Sequence, residues 1–394
     1  MGTQEPASDE VKMTQARSTL ADRILALLLH RHFVAGCLVA HVLLRVALIV
    51  LVPVSMTSDA GWYLRRGIGI AAGEGYAEGG VPTAYWPVGY PAFLGLIFWL
   101  FGPHLIVAQL ANVLLSAVSA LLCLALARVM LQDEAAARLA MLFLTVYPNN
   151  IAYVSLSLSE PFVTPLLMLG AYIYIRSRAW PGVLVSGLVF GLAVLTKPQV
   201  LFFPLMLVAV RFALKPRGAG LRTVVLGLVL YVGVVAVVAP WSARNFFIFH
   251  EVVPISTNGG SNLLIGNNPR ARGDFISYGA FAAQIRFSVP DQVAADKRAS
   301  RLAIQWIREN PGRFAALMPL KGWWLWAPDG EAEWSYQAGS PRYQEYAGAF
   351  RLARLLNQVF YLGVLIAFAA SAVLAVTRSL SRRPRSSSVS RTLP

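Results

Sequence analysis

Charged residues and cysteines are scarce in this sequence. Asp, Glu, Lys and Arg make up 13% of the 394 residues, hydrophobic residues make up 57%, and the mean hydropathy is +0.58. A soluble domain cannot bury that much apolar surface, so the composition predicts a polytopic membrane protein. Both cysteines, Cys37 and Cys123, lie inside apolar runs, so they indicate neither a disulfide framework nor a metal site.

Acidic residues are also few, 19 against 34 basic ones, which gives a net charge of +15. Many of the basic residues flank apolar runs, as the positive-inside rule expects, so we expect no nucleic-acid partner. The first thirty residues contain no short apolar core followed by a small-residue cleavage site. The first apolar run, 32–54, is therefore expected to be an uncleaved helix that leaves the N-terminus in the cytoplasm.

Apolar runs of about 20 residues predict eight membrane crossings and a cytoplasmic C-terminus. We place them at 32–54, 105–130, 139–156, 160–176, 181–196, 198–214, 221–240 and 352–376. Two shorter stretches, 89–102 and 313–327, are interrupted by Pro and Gly and rich in Trp. These are expected to be interfacial or re-entrant helices on the outer face. The predicted fold class is an all-α membrane protein, a helix bundle with a small extracytoplasmic portion.

Neither an internal repeat nor a long low-complexity linker divides the chain, so the domain boundaries follow the spans. The expected segments are a cytoplasmic N-terminus (1–31), a transmembrane catalytic bundle with its first outer loop at 55–104 (32–240), an extracytoplasmic segment (241–350), a last span (351–377) and a basic cytoplasmic tail (378–394). The extracytoplasmic segment contains a helical stretch near Asp291 to Asn310. The tail is expected to be disordered.

Ser58 to Tyr63 follows the first span directly. A carboxylate one turn beyond a span lies where hydrocarbon meets water, and such a position suits a substrate that is part lipid and part polar. Asp59 is therefore the first candidate for a catalytic base. The alternative is an ordinary loop acid or helix cap, since Ser58 and Asp59 both suit an N-cap.

Further motifs follow in a fixed order along the chain. They are Tyr85-Trp-Pro-Val-Gly-Tyr-Pro91, Leu158-Ser-Glu-Pro161, Leu195-Thr-Lys-Pro198, Pro240-Trp-Ser-Ala-Arg-Asn245 and Ser256-Thr-Asn-Gly-Gly-Ser-Asn-Leu263 leading to Gly266-Asn-Asn-Pro269. From about residue 33 to about residue 328, the order resembles the bacterial family 39 glycosyltransferases of the GT-C superfamily. That family includes protein O-mannosyltransferases and aminoarabinose transferases. Lys197 departs from the pattern, in which Arg is more usual; the charge is kept but the planar two-pronged donor is lost.

The resemblance implies an inverting sugar transfer from a polyprenyl-phosphate donor to a protein, lipid or glycan acceptor outside the membrane. Asp59 would take the proton of the attacking acceptor. Glu160 matches the family's second acidic position, where it would orient the acceptor or hold a divalent cation; no other cofactor is implied. An acid beside Pro161 in a first helical turn is also ordinary helix chemistry. No His, Cys or Asp group has ligand spacing, so the sequence itself identifies no metal site.

Cations are needed to stabilise the departing lipid phosphate. Lys197 and Arg244 are the first candidates, with interfacial snorkelling beside Trp241 as the alternative for Arg244. Lys321 lies among tryptophans that also suit an interfacial belt, and Arg65 is near Asp59 in sequence.

Further substrate-binding candidates are Tyr63, Tyr85, Asn258 and Asn262. The Asn/Gly stretch that contains Asn258 and Asn262 is expected to be a substrate-side loop. Turn formation alone explains the same residues.

Two other function classes fit a chain with many spans and few charges. One is a transporter or lipid flippase, although repeated halves with broken helices are missing here. The other is a non-catalytic protein of envelope polysaccharide assembly. A transferase predicts that Asp59, Glu160, Lys197 and Arg244 converge in one cavity, whereas a transporter predicts ionisable groups along a path through the bilayer. The expected location is the inner (cytoplasmic) membrane of a bacterium, with the active site on the extracytoplasmic face.

Overall fold

The computed structural model describes residues 19–214, 218, 220–276, 291–326, 329–330 and 332–381. The chain is an all-α polytopic membrane protein, as its composition predicts. Its helices are α1 (Leu20–Leu29), α2 (Phe33–Leu51), α3 (Ser58–Ala71), α4 (Gly89–Phe101), α5 (Leu105–Leu131), α6 (Glu134–Val146), α7 (Pro148–Val154), α8 (Glu160–Arg176), α9 (Trp180–Thr196), α10 (Phe202–Ala213), α11 (Gly220–Phe249), α12 (Gly259–Gly266), α13 (Gln292–Glu309), α14 (Pro311–Trp326), α15 (Ala332–Gly339) and α16 (Tyr343–Ser381). A 3-10 turn, Pro198–Leu201, precedes α10, and two short antiparallel strands, β1 (Ala77–Glu78) and β2 (Val81–Pro82), lie between α3 and α4.

Four helices of the described chain, α2, α5, α11 and α16, are long and apolar enough to cross a membrane. The helices at the other predicted crossings are shorter; α8 and α9 have 17 residues each, or about 26 Å at 1.5 Å per residue. The count of eight crossings therefore stays a prediction.

Several predicted helix boundaries are wrong. The last span, expected at 352–376, belongs to a helix that already begins at Tyr343. The span expected at 139–156 is broken into α6 and α7 at Pro148, which has no N–H to continue the α6 ladder and instead opens a new helix. The span expected to end at residue 240 continues to Phe249 with Pro240 inside it. Its last turns are held by the returning chain, because Trp241 Nε1 donates to the Ile255 carbonyl at 2.7 Å and Asn245 Nδ2 donates to the Val253 carbonyl at 3.0 Å.

Small residues bring the bundle helices into close contact. A Cβ added at Gly187 of α9 would lie 2.1 Å from the Leu230 carbonyl oxygen of α11, and one added at Gly233 of α11 would lie 2.6 Å from the Leu184 carbonyl oxygen. In lipid the hydrophobic effect does not drive helices together, so helices associate through close packing of their backbones at small residues. The α9–α11 pair thereby fixes the end of α9, from which Lys197 projects.

The first outer loop folds into a helical hairpin. α3 and α4 pack so closely that a Cβ at Gly67 would lie 2.6 Å from Leu94 Cβ, and one at Gly95 would lie 2.4 Å from Ile70 Cγ2. At the start of α4, a Cβ at Gly89 would lie 2.3 Å from Thr196 Oγ1. Gly89 thus lets the hairpin rest on the end of α9, which brings the first loop to the residue before Lys197.

The predicted extracytoplasmic segment 241–350, called the outer segment below, is attached to the first loop by several hydrogen bonds, of which those of the buried Gln292 side chain are the most numerous. Gln292, the first residue of α13, accepts hydrogen bonds through Oε1 from Ala84 N at 2.8 Å and from the hydroxyls of Thr83 and Thr257 at 3.2 Å each. The helix predicted near Asp291 to Asn310 is α13, and the interfacial stretch predicted at 313–327 contains most of α14.

The two ends of the chain are described in part. Helix α1 forms inside the segment treated as a polar N-terminus and begins with a capping box between Thr19 and Asp22. Residues 1–18 and 382–394, which include most of the predicted basic tail, lie outside the described residues.

Candidate active site

Asp59 lies in the first turn of α3, immediately after the irregular segment that follows α2. Ser58 has a φ of 48°, a left-handed conformation that is uncommon for a residue with a side chain and recurs at functional sites. Its hydroxyl donates to Asp59 Oδ1 at 3.3 Å. A Cβ at Gly61 would lie 2.7 Å from the Met56 carbonyl oxygen, so the chain can fold back at this position only with glycine. The sharp entry into α3 therefore sets the position of the carboxylate.

Glu160 opens α8 after five residues of non-helical chain, 155–159. Two buried amides of α5 satisfy this segment: Gln109 Nε2 donates to the Ser155 carbonyl at 2.9 Å, and Asn112 Nδ2 donates to the Leu156 carbonyl at 2.9 Å. Irregular backbone at membrane depth is stable only when protein groups satisfy it in this way. The α5 amides thereby fix where α8, and hence Glu160, begins.

Lys197 caps α9 in an extended conformation, and its ammonium reaches back to α8. Lys197 Nζ donates to Glu160 Oε1 at 2.8 Å, with 30% of the lysine and 41% of the glutamate side chain exposed. Two residues 37 positions apart thus form one ion pair at the ends of neighbouring helices.

Asp59 belongs electrostatically to this pair. Partial burial raises the pKa of Asp59, and the Glu160 carboxylate raises it further, whereas the Ser58 hydroxyl and the Lys197 ammonium lower it. Burial also raises the pKa of Tyr63, to which the carboxylates of Asp59 and Glu160 add. The structure therefore brings together Asp59, Glu160, Lys197 and Tyr63, four of the residues that the sequence singles out.

An aromatic cluster covers one side of this group. Tyr63 makes edge contacts with Trp86 and Tyr90, with ring centroids 5.7 Å away in each case. Trp86 is also in edge contact with Tyr85, a predicted substrate residue that is partly exposed. Apolar rings beside carboxylates remove water from the site and strengthen the charges within it.

Arg244 has a different environment from the one predicted for it. Its guanidinium lies 4.7 Å from the Trp241 ring centroid and donates to the carbonyls of Thr83 at 2.9 Å and Tyr76 at 3.0 Å. Among the described residues it makes no ion pair. The structure therefore places Arg244 as a brace of the first loop and does not bring it to the Glu160–Lys197 pair.

Of the remaining predicted substrate residues, three lie in the outer segment and Arg65 lies on α3. Asn258 is buried at the start of α12, where its Oδ1 accepts from the Ser256 hydroxyl at 2.8 Å, while Asn262 is exposed one turn later. Lys321 of α14 donates to Asn267 Oδ1 at 2.8 Å, and burial lowers its pKa. Arg65 is exposed on α3. No described contact joins these four residues to Asp59.

A divalent cation at Glu160 stays a hypothesis. In the part of the chain that the structure describes, no group of three or more His, Cys, Asp or Glu side chains is placed to hold a metal ion. The nearest positive charge to Glu160 is the ammonium of Lys197, which already pairs with it.

Sequence reasoning missed a buried cation in α2. Arg45 is fully buried, and its five N–H groups reach Ser116 Oγ at 2.9 Å, Asn150 Oδ1 at 2.6 Å and the carbonyls of His41, Leu144 and Thr145. Charges inside membrane helices are costly and mark function or bracing. The signal was present: His41 and Arg45 are four residues apart, which puts both on one face of an otherwise apolar helix.

A polar stripe on α5 was missed as well. Gln109, Asn112, Ser116 and Ser119 are all buried and recur at the spacing of one helix face. This face turns toward α7, the irregular segment and α8. Polar residues that recur every three to four positions inside an apolar run are the pattern that would have located this stripe.

Part of the chain is similar to a known protein family. Residues 86–243 match the family described as dolichyl-phosphate-mannose-protein mannosyltransferase. The match spans less than half of the chain; it contains Glu160 and Lys197, begins after Asp59 and ends one residue before Arg244. No curated protein matches the sequence.

Proposed function

We propose, starting from the similarity of residues 86–243 to the dolichyl-phosphate-mannose-protein mannosyltransferase family, that this chain is a membrane glycosyltransferase. Its donor is a sugar carried on a polyprenyl phosphate, and its acceptor is a hydroxyl or amine of a protein, lipid or glycan. The reaction takes place on the extracytoplasmic face of the cytoplasmic membrane. The observation that carries the proposal is the meeting of Asp59 with the Glu160–Lys197 ion pair at one end of the helix bundle.

Asp59 acts as the general base in the proposed reaction. The acceptor oxygen forms a bond to the anomeric carbon while the bond from that carbon to the phosphate oxygen breaks. The acceptor proton goes to Asp59, and the phosphate leaves with the bonding electrons. A raised pKa suits this role, because a base is most effective when its pKa lies closer to the working pH. Direct attack from the face opposite the phosphate inverts the anomeric carbon.

Lys197 acts on the phosphate that leaves, and Glu160 acts on the acceptor that attacks. The Lys197 ammonium stabilises charge on the departing phosphate, a lipid phosphate being a good leaving group that needs no dedicated acid. Glu160 holds that ammonium at 2.8 Å and orients the acceptor beside Asp59. The aromatic rings of Tyr63 and Trp86 keep bulk water away from the carboxylates.

Removing the base tests the proposal. Asp59→Asn keeps the size of the side chain and removes the proton acceptor, so transfer from radiolabelled polyprenyl-phosphate sugars in membranes is expected to fall by about 10²- to 10⁴-fold. Asp291→Asn, an exposed acid at the start of α13, is the matched control and keeps native activity. Equal transfer by native protein and Asp59→Asn contradicts the assignment of the base.

A transporter is the competing function, and Arg45 is the observation that favours it. A buried cation within a membrane helix is typical of a transport path. Its N–H groups are all directed to neutral oxygens of α2, α5, α6 and α7, which is the environment of a brace between helices. Movement of a labelled polyprenyl-phosphate sugar from one leaflet of a vesicle to the other, without transfer to any acceptor, would favour the transporter or flippase.

A further inference from the structure

A cavity of about 270 Å³ lies inside the bundle between α5, α7 and α8. Its polar lining comes from Ser116, Ser119, Asn149, Asn150, Glu160 and Thr164. Ser116 follows Asn112 by one turn of α5, and Asn112 accepts from the Tyr90 hydroxyl beside the catalytic group at 3.4 Å. The cavity therefore begins at Glu160 and extends one to two helical turns along α5 and α8, to Ser119 and Thr164.

The hydroxyl groups of the cavity wall are placed to accept hydrogen bonds from a ligand. Ser119 Oγ donates its proton to the Leu115 carbonyl at 2.9 Å, and Thr164 Oγ1 donates its proton to the Glu160 carbonyl at 2.8 Å. A hydroxyl that has donated inside its own helix keeps two lone pairs for a ligand. Asn149 also lines the cavity, but its Oδ1 lies below the cavity surface, out of contact with solvent, so it is not counted among these acceptors.

Charges of opposite sign flank the cavity. Arg45 lies behind the wall, because it donates to the cavity residues Ser116 and Asn150, while the Glu160 carboxylate forms part of the lining. Arg45 repels a cationic ligand, and Glu160 repels an anionic one. A neutral ligand rich in hydroxyl groups satisfies the acceptors and meets neither repulsion. The volume is below that of a pocket for a drug-sized ligand, which leaves room for one small ring.

We propose that this cavity binds one sugar residue of a substrate, with Ser119 and Thr164 accepting hydrogen bonds from its hydroxyl groups. The proposal deepens the proposed function and rests on it, since it names the part of the substrate that enters the bundle beside Glu160. Sugar hydroxyls come from either the donor or a glycan acceptor, and the two sources share this chemistry.

Photo-crosslinking of the full-length protein in lipid nanodiscs tests the proposal without requiring turnover. The donor-type probe is polyprenyl-phosphate mannose with a diazirine on the sugar, and the acceptor-type probe is octyl mannoside with the same group. Crosslinked peptides are mapped by mass spectrometry in native protein and in Thr164→Val, which removes one hydroxyl at constant size. Ser119→Leu fills the cavity, and Ser371→Leu is its control, because Ser371 of α16 makes the same bond to a carbonyl one turn earlier at 2.8 Å.

The expected result is crosslinks in α5 near Ser119 and in α7 near Asn149. If the donor-type probe makes them, the bound sugar belongs to the donor; if the acceptor-type probe makes them, it belongs to the acceptor. Thr164→Val should lower their yield about five-fold at subsaturating probe, and Ser119→Leu should abolish them while Ser371→Leu leaves them unchanged. Crosslinks from both probes confined to the outer segment, or yields unaffected by Thr164→Val, overturn the proposal. Absence of sugar transfer by the native protein instead contradicts the proposed function, and the crosslinks still decide whether the cavity binds sugar.

Discussion

Replacing Lys197 by Gln separates the structural role of its ion pair from its proposed catalytic role. The pair is short, at 2.8 Å, but 30% of the lysine and 41% of the glutamate side chain are exposed, so solvent screens the attraction. Exposed pairs typically contribute about 0.2–1 kcal/mol to stability. We therefore expect Lys197→Gln to lower the free energy of unfolding by less than about 1 kcal/mol.

The effect of the same change on catalysis should be much larger. A preorganised cation that stabilises charge developing on the leaving phosphate acts in the transition state, where loss of one such group costs about 2.7–4 kcal/mol. That corresponds to a fall in kcat of about 10²- to 10³-fold. Lys197→Arg keeps the charge and is expected to retain most of the activity.

The assay pairs sugar transfer with thermal unfolding of the same purified variants in detergent. Lys297 provides a matched control, because it forms an ion pair with Glu251 at 2.6 Å on the outer segment, with 48% of each side chain exposed. Lys297→Gln should cost a similar amount of stability and leave kcat unchanged. A fall in kcat for Lys197→Gln no larger than that for Lys297→Gln refutes the phosphate role of Lys197.

Two further predictions follow from the same site. Gly89→Ala places a Cβ 2.3 Å from the nearest atom of α9 and should destabilise the protein by about 1–3 kcal/mol. Gly36→Ala is the control, because its Cβ meets nothing within 4 Å, and it should leave the stability unchanged. Thermal unfolding measures both variants, and equal melting temperatures would count against the packing of α4 on α9. The pKa of Asp59 is raised, so the base is lost as pH falls through a value above that of an ordinary Asp. Glu160→Gln removes a charge that raises this pKa, so it should move the acidic limb of the pH–rate profile to lower pH. Lys197→Gln removes a charge that lowers the pKa, so it should move the limb to higher pH. Shifts in the same direction for both variants would contradict the proposed electrostatics.

The general fold and the centre of the candidate site could be predicted from local sequence. Apolar runs gave the helix class, and acids at the ends of those runs identified Asp59 and Glu160, because a span boundary fixes depth in the membrane. The Thr-Lys-Pro motif identified Lys197 in the same way. Each of these signals lies within a few residues of the feature that it predicts.

Features that depend on distant partners could not be predicted in this way. Hydropathy averaged over a span hides one charge, so Arg45 went unnoticed although its neighbours on α5 and α7 bury it fully. The break between α6 and α7 does have a local signal, Pro148-Asn149-Asn150, but hydropathy averaged over 139–156 hides it. The environment of Arg244 depends on carbonyls more than 160 residues earlier in the chain, which no local pattern reveals.

Gln292 has a consequence for how mutations spread through this protein. Its side-chain oxygen receives three donors, two from the first loop 208 and 209 positions earlier and one from Thr257. Replacing it with Leu would strand a main-chain amide and two hydroxyls at once, away from water. The substitution lies in the last third of the chain, but it is expected to disturb the first loop, which contains Asp59. Genetic screens should therefore find inactive variants at a position remote from any substrate.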